Sequence, residues 1–138
     1  AKPPSRDLPE LKLLDEPPPA SVEVSDLTCS GPTGPIPLRL YEPHEPPGTG
    51  SRSLLLYIHG GGWMQGGLET HHGACGKLAA WSGCQVLAVD YRLAPEHKFP
   101  AGLEDCLAAW RWLVANRNVS TIMRQALVQF KLGGSGFL

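Results

Sequence analysis

The sequence lacks the features that mark membrane-spanning and nucleic-acid-binding proteins. Its 138 residues include no apolar run of the roughly 20 residues that a bilayer span requires, and no signal-peptide pattern opens the chain. The 12 basic and 13 acidic residues form no basic patch. A nucleic acid or an anionic membrane is therefore a poor candidate partner. A hydrophobic content of 42% and a charged content of 18% are typical of a globular domain.

Cysteine pairs with metal-binding or redox spacing are also absent. The four cysteines are scattered without a CxxC motif, at positions 29, 75, 84 and 106. We expect free, buried thiols and a cytoplasmic location, with one or two disulfides as the alternative. His71, His72 and Cys75 could suggest zinc, but adjacent histidines on a helix point in different directions and no fourth ligand is evident. The sequence therefore predicts no metal site.

The N-terminal part of the chain predicts an arm followed by two strands. Residues 1–20 are rich in proline and charge, which favours an irregular arm with one short turn around residues 8–14. Residues 21–27 and 36–41 alternate polar and apolar side chains, as half-buried strands do. We expect them to form an antiparallel pair at a sheet edge, where Pro37 is tolerated.

The middle of the chain predicts a parallel sheet. Residues 53–58 and 85–90 are nearly continuous apolar runs, which favour strands covered on both faces. Residues 67–81 carry apolar positions at helical spacing and predict a helix that starts late because of its glycines. Strand, helix and strand in this order form a βαβ unit, so the predicted fold class is α/β.

A second helix and a further strand are expected after this unit. The clearest helix is predicted over residues 100–116, with Leu103, Leu107, Trp110 and Leu113 on its apolar face. Residues 126–132 are a candidate third core strand, and they lead into a glycine-rich end.

The first candidate functional motif is the run His59-Gly60-Gly61-Gly62-Trp63, which directly follows an apolar strand. Three consecutive glycines carry an entropic cost, which indicates that the bare backbone itself is needed there. Two peptide N–H groups that point at one spot would stabilise an oxygen that becomes negative during a reaction. The motif therefore predicts an oxyanion hole of the HGGG type.

The second motif, residues 90–96, leaves the next apolar strand through a polar, proline-stiffened loop. Asp90, Arg92 and Glu96 could form an ion-pair network that locks this loop. We interpret their role as structural and not as a direct part in catalysis.

The two motifs, followed by Phe99-Pro100-Ala101 and an amphipathic helix, resemble the hormone-sensitive-lipase-like branch of the α/β-hydrolase superfamily. The resemblance covers about residues 21–116. It implies an α/β-hydrolase fold, incomplete in this chain, and a carboxylic-ester hydrolase with a Ser-Asp/Glu-His triad. The substrate would be a small-molecule ester, without a metal or an organic cofactor. The Gly61 and Gly62 N–H groups would supply most of the oxyanion hole, and His59 and Gly60 would brace the loop.

The nucleophile implied by the resemblance is Ser135, in Gly133-Gly134-Ser135-Gly136-Phe137. Gly136 would supply the third oxyanion N–H in place of the family's alanine. Phe137 stands where the family has glycine, and residues 118–125 lack the family's usual turn residues. Residues 117–138 are therefore atypical, and unrelated sequence in this segment is the alternative.

The resemblance also implies an order of triad residues that bears on activity. The triad acid and base follow the serine in this fold, whereas all five histidines precede Ser135. We therefore expect residues 21–138 to be the N-terminal half of a hydrolase domain, inactive as written, with residues 1–20 as a reduced cap. Short-to-medium acyl esters are the expected substrates. A ligand-binding protein of hydrolase fold, or a truncated product, is the alternative, and the oligomeric state is left open.

Overall fold

The computed structural model describes residues 16–44 and 53–116, together with the backbone of residues 129–130. Within these residues, five strands form one sheet and two helices lie against it. The strands are β1 (Val22–Ser30), β2 (Pro35–Pro43), β3 (Leu54–Ile58), β4 (Gln85–Val89) and β5 (Gln129–Phe130). The helices are α1 (His72–Ser82) and α2 (Ala101–Ala115).

The sheet is mixed, with the strand order β1-β2-β4-β3-β5. β1 pairs with β2 and β2 pairs with β4 in antiparallel register, whereas β3 runs parallel to both β4 and β5. The segment β3-α1-β4 is the predicted βαβ unit. The predicted α/β class, with an antiparallel N-terminal pair leading into a parallel sheet flanked by helices, is confirmed.

Each face of the sheet is covered by one helix, which explains the continuous apolar run of β4. All five residues of β4 are buried. Val86 and Ala88 pack with Cys75 and Ala79 of α1. On the other face, Leu87 and Val89 belong to the larger core, together with Leu56 and Ile58 of β3 and residues of α2.

The position of β2 differs from the expectation. The antiparallel pair lies at one edge of the sheet. Within the pair, β1 is the edge strand, whereas β2 lies between β1 and β4. Pro37 is tolerated there because it precedes the first paired residues of β2 and β4, Leu38 and Val89. Its carbonyl oxygen still accepts a hydrogen bond of 3.0 Å from the Asp90 N–H.

The first helix begins at His72, five residues later than the first residue of the predicted range. Thr70 holds the preceding turn because its hydroxyl accepts from the Gly67 N–H at 3.0 Å and donates to the Gly67 carbonyl at 3.1 Å. The helix ends at Ser82, and Gly83 caps it with a left-handed φ of 69°, which suits glycine.

The buried face of α2 differs more substantially from the predicted one. Of the four residues expected on the apolar face, Leu113 is buried but Leu107 is 43% exposed. The buried residues of α2 are Ala101, Gly102, Asp105, Cys106, Ala109 and Leu113. Leu103 and Trp110 are partly buried, and Trp110 packs against the core. The helix is therefore rotated relative to the prediction, so that mostly small residues face the sheet.

All four cysteines are free thiols, and three of them (Cys29, Cys75 and Cys106) are buried. Burial raises the pKa of the Cys106 thiol to about 12, so that this group stays protonated at neutral pH. No helix within residues 16–44 and 53–116 is long and apolar enough to cross a bilayer.

Candidate active site

The two sequence motifs meet at the carboxyl ends of strands β3 and β4. His59 follows the last residue of β3, and Asp90 follows the last residue of β4. Because β3 and β4 are parallel, their carboxyl ends lie side by side, which is where ligands bind in open α/β sheets. A backbone hydrogen bond of 2.9 Å, from the Ala94 N–H to the Trp63 carbonyl, joins the two loops.

The glycine loop turns back on itself at Gly61. The Gly61 carbonyl accepts hydrogen bonds from the N–H groups of Met64 (3.2 Å) and Gln65 (3.0 Å). Gly61 has a φ of 138°, and a Cβ atom there would overlap the carbonyl oxygen of Gln65. No side chain other than hydrogen fits at this position.

Gly62 follows with a left-handed φ of 62°, but a Cβ atom there would meet nothing within 4 Å. Within the described part of the chain, neither the Gly61 N–H nor the Gly62 N–H donates a hydrogen bond. Gly61 is half-buried and Gly62 is exposed. The loop therefore holds two adjacent N–H groups that have no acceptor among the described residues.

The side chain of His59 contacts the backbone of the glycine loop. Its side chain is buried, and its Nδ1 lies 2.9 Å from the carbonyl oxygen of Gly60. The Tyr91 ring stacks on the imidazole at a centroid distance of 4.2 Å, and the Tyr91 hydroxyl donates to the His59 carbonyl at 2.6 Å. A Cβ atom on Gly66 would lie 2.8 Å from His59 Nδ1, so that Gly66 must also lack a side chain.

The ionisation state of His59 follows from its burial. Desolvation, with a smaller contribution from the nearby His71 ring, lowers the pKa of His59 to about 4, although the Gly60 contact opposes the shift. The imidazole is therefore neutral at pH 7, with the proton on Nδ1 donated to Gly60. Its Nε2 has no hydrogen-bond partner among the described residues.

Trp63 fixes the end of the glycine run. Trp63 has a φ of 64°, and no other non-glycine residue in the described part of the chain has a positive φ. Its ring lies 5.0 Å from the Tyr91 ring, at an interplanar angle of 54°. The contact requires a glycine in α2, because a Cβ atom on Gly102 would lie 3.0 Å from the Trp63 ring and 2.8 Å from the Arg92 carbonyl oxygen. Packing against Tyr91 and α2 thus holds a backbone conformation that tryptophan rarely adopts.

Arg92 anchors the second loop to α2. Its Nε lies 3.0 Å from Asp105 Oδ2 and its Nη2 lies 3.0 Å from Oδ1, while its backbone N–H donates to Oδ2 at 2.9 Å. Hydrogen bonding to Asp105 raises the pKa of Arg92. Glu104 is a more distant partner, 3.9 Å away and half exposed.

The carboxylate that pairs with Arg92 at short distance thus comes from α2. Asp90 is half-buried and Glu96 is exposed, and both make contacts of their own. The sequence did contain a signal for Asp105. This residue lies on the i, i+4 stripe Ala101-Asp105-Ala109-Leu113, and a carboxylate on a buried stripe requires a cationic partner.

Ser135 and Gly136, the predicted nucleophile and third oxyanion donor, lie outside the described residues. Within the ranges 16–44 and 53–116, no three histidine, cysteine or acidic side chains cluster as metal ligands would. His71, considered above as a zinc ligand, lies with its Nδ1 3.0 Å from the Thr70 hydroxyl.

A family model described as the alpha/beta hydrolase fold matches residues 55–132, which is more than half of the chain. The chain belongs to this family. The match includes the glycine loop, the second loop and α2. The resemblance to the hormone-sensitive-lipase-like branch is confirmed for this part of the fold.

Individual relatives agree with this assignment. Esterase LipI of Mycobacterium tuberculosis is 44% identical over 108 residues, covering 78% of this chain and 32% of LipI. An ethyl acetate hydrolase of Pseudomonas putida is 42% identical over 115 residues, covering 81% of this chain and 36% of the relative. The solved structure of an arylesterase superposes with a TM-score of 0.75 at 31% identity, covering 84% of this chain and 37% of that one. The chain therefore spans about a third of the length of these relatives.

The first prediction concerns the Arg92–Asp105 pair. Asp105→Ala removes the acceptor of several hydrogen bonds and leaves Arg92 with only the distant Glu104 carboxylate and the Ala101 carbonyl, so that the free energy of unfolding should fall by roughly 3 kcal/mol. Urea denaturation followed by circular dichroism measures the change. Glu104→Ala is the matched control and should cost less than about 1 kcal/mol, because its carboxylate is distant and exposed. Equal losses in the two variants would contradict the assignment.

The second prediction concerns the pH dependence that His59 imposes. Above pH 6.5 the imidazole is neutral in both the folded and the unfolded chain. Between pH 6.5 and about 4 only the unfolded chain binds the proton, and stability falls as the pH falls. By pH 5 this loss should reach about 2 kcal/mol.

His59→Gln removes this titration, so that the stability lost between pH 7 and pH 5 should be smaller by about 2 kcal/mol in the variant than in the wild type. Urea denaturation at the two pH values gives both slopes. His97→Gln, at an exposed histidine, is the control and should keep the wild-type slope. An unchanged slope in His59→Gln would show that His59 is not a buried neutral imidazole.

Proposed function

We propose that this chain contributes the oxyanion hole of a serine-dependent carboxylic-ester hydrolase. The observation that carries the proposal is the pair of adjacent N–H groups on Gly61 and Gly62, neither of which donates within the described residues. They lie on a loop whose shape is held by Tyr91, Gly66 and Gly102. Donors that are fixed before the substrate binds need no reorganisation during the reaction.

The proposed substrates are esters of small alcohols with short-to-medium acyl chains. Support comes from the relatives, which include an esterase and an ethyl acetate hydrolase. In the described part of the arm, Glu16 and Pro18 contact α1. In this proposal residues 1–20 form no large cap over the site, and residues 21–138 form the N-terminal half of the hydrolase domain.

In the proposed reaction, a serine Oγ attacks the ester carbonyl carbon while a base takes the hydroxyl proton. The carbonyl oxygen becomes an oxyanion and accepts hydrogen bonds from Gly61 and Gly62. When the carbon–oxygen bond to the alcohol breaks, the alcohol leaves with the proton and the acyl group stays on the serine. Water then releases the acid by the same steps.

We assign the nucleophile to Ser135 and the third oxyanion donor to Gly136. The register supports this assignment, because Phe130 of β5 pairs with Ile58 of β3, one residue before His59. Ser135 follows Phe130 by five residues in the sequence. Because β5 runs parallel to β3, the carboxyl end of β5 lies beside the carboxyl end of β3, from which the glycine loop leaves.

His59 is not the base in this proposal. Its Nδ1–H group already donates a hydrogen bond to the Gly60 carbonyl oxygen. A pKa of about 4 makes its Nε2 a weak proton acceptor at neutral pH. Asp90, Arg92 and Glu96 keep structural roles. We propose that the triad base and acid come from outside residues 16–116, and that the reaction needs no metal or organic cofactor. A cytoplasmic location is part of the same proposal, supported by three buried free thiols.

The activity is tested in a chimera, in which residues 16–116 replace the matching segment of LipI. We expect hydrolysis of p-nitrophenyl acetate and butyrate at rates comparable to those of LipI, and much slower hydrolysis of p-nitrophenyl laurate. A folded chimera that binds these esters saturably without turnover would support a ligand-binding role and reject the esterase.

The third prediction separates the two oxyanion donors by their geometry. In the chimera, Gly61→Ala must displace the loop because its Cβ atom meets the Gln65 backbone, and kcat should fall by roughly 10²–10³ with little change in KM. Gly62→Ala has open space and retains the direction of its N–H, at a backbone cost of about 1 kcal/mol. Its kcat should stay within several-fold of the parent chimera.

Gly34→Ala is the matched control for these variants. Gly34 also has a positive φ (150°) and open space around it, but it lies in the turn between β1 and β2. Its kcat should be that of the parent chimera. A Gly61→Ala variant with normal turnover would exclude this loop as the oxyanion hole.

The fourth prediction concerns Ser135. Residues 1–138, joined to the part of LipI that follows the match, should react with a fluorophosphonate probe at Ser135. Ser135→Ala should abolish the labelling, whereas Ser120→Ala should leave it intact. Mass spectrometry of the labelled peptide identifies the site. Labelling at another serine would remove Ser135 from the mechanism without affecting the assignment of the glycine loop.

A further inference from the structure

The connector between the glycine loop and α1, residues 67–72, ends in two adjacent histidines whose side chains contact different parts of the structure. His71 packs against the glycine loop, and its ring centroid lies 5.5 Å from that of His59. His72 contacts β2, where its Nδ1 lies 2.8 Å from the Tyr41 hydroxyl oxygen. The histidine pair therefore joins the glycine loop to an interior strand of the sheet.

The contact between β2 and His72 is a hydrogen bond with a defined direction. Tyr41 is fully buried, and burial raises the pKa of its hydroxyl, so that the phenol stays protonated. Arg39 lies on the same face of β2 and approaches the same nitrogen with its Nη1, at 3.4 Å. Both groups are donors, so that Nδ1 of His72 is the acceptor. Arg39 also binds Glu69 of the connector, with its Nη2 2.9 Å from Oε1.

The start of α1 depends on this contact because the helix has no local anchor there. Within the described residues, no side-chain hydrogen bond caps the first turn of α1, and the turn contains no acidic residue. His72 is the first residue of the helix. Its bond to Tyr41 thus fixes the point at which the connector ends and α1 begins.

The connector in turn closes the glycine loop. Gly66 lies against the Gly60 carbonyl, where a Cβ atom would come within 2.7 Å of the oxygen. The turn held by Gly67 and Thr70 follows directly and leads into the histidine pair. A displacement of the pair would therefore move this turn, and with it the contact that closes the loop.

We propose that Tyr41 and His72 are positioning residues for the oxyanion donors Gly61 and Gly62, with His71 as the link to the loop. This inference rests on the function proposed above for the glycine loop. In it, Tyr41 and His72 do not touch the reacting atoms. They hold the connector in place, so that the two N–H groups keep their direction before the substrate binds.

The amide NMR signals of Gly61 and Gly62 in the full chain test this positioning. Tyr41→Phe removes only the hydroxyl group and should shift both signals, although the substitution lies on another strand. Asp26→Asn is the matched control and should leave both signals in place, because its carboxylate binds the same β2 arginine from β1 and not from the connector. Unchanged signals in Tyr41→Phe, or equal shifts in the two variants, would overturn the proposal.

Two substitutions of His72 separate the hydrogen bond from a general loss of stability. His72→Ala removes the acceptor and should reproduce the shifts of Tyr41→Phe. His72→Asn places an oxygen acceptor near the position of Nδ1 and should keep the wild-type signals. Equal shifts in the alanine and asparagine variants would overturn the role of the hydrogen bond.

The consequence for catalysis is measured in the chimera described above. Tyr41→Phe and His72→Ala should each lower kcat by roughly fivefold, the factor that corresponds to one lost hydrogen bond, with little change in KM. The double variant should lose no more than either single variant, because both substitutions break the same bond. Losses that multiply would overturn the proposal. A parent chimera without turnover would reject the esterase function, whereas the amide signals would still decide the positioning.

Discussion

The hydroxyl of Tyr91 joins the two loops on which the candidate site depends. Desolvation raises the pKa of this phenol, so that it stays protonated and donates to the His59 carbonyl. The same ring stacks on the His59 imidazole and contacts Trp63. One side chain after β4 thereby sets both the direction of the chain as it leaves β3 and the position of the last residue of the glycine run.

The loop that carries Tyr91 is in turn held by α2. Asp105 is buried and accepts from both the backbone and the guanidinium of Arg92. An ion pair of this kind stabilises the fold only when its hydrogen bonds are satisfied, and it is costly to break when they are. The Arg92–Asp105 pair holds α2 close to the second loop, in the position at which Gly102 lies against the Trp63 ring.

Backbone donors can serve an oxyanion only if the loop that carries them is rigid and unobstructed. Gly61 and Gly66 lack the space for a Cβ atom, while Gly62 has the space but takes a left-handed φ. The glycines thus meet different physical requirements, although they look alike in the sequence. The neutral imidazole of His59 adds a hydrogen bond to the loop without adding a charge beside the site.

The sequence by itself determined the local elements and the identity of the motifs. Strand and helix periods are local properties, and so β4, β3 and the start and end of α2 agree with prediction to within a residue or two. Residues in contact across the sheet are not local. The pairing of Arg92 with Asp105, the interior position of β2 and the rotation of α2 that exposes Leu107 depend on how closely the layers approach. Only the tertiary structure decided them, because small residues allow a close approach that hydrophobic periodicity does not encode.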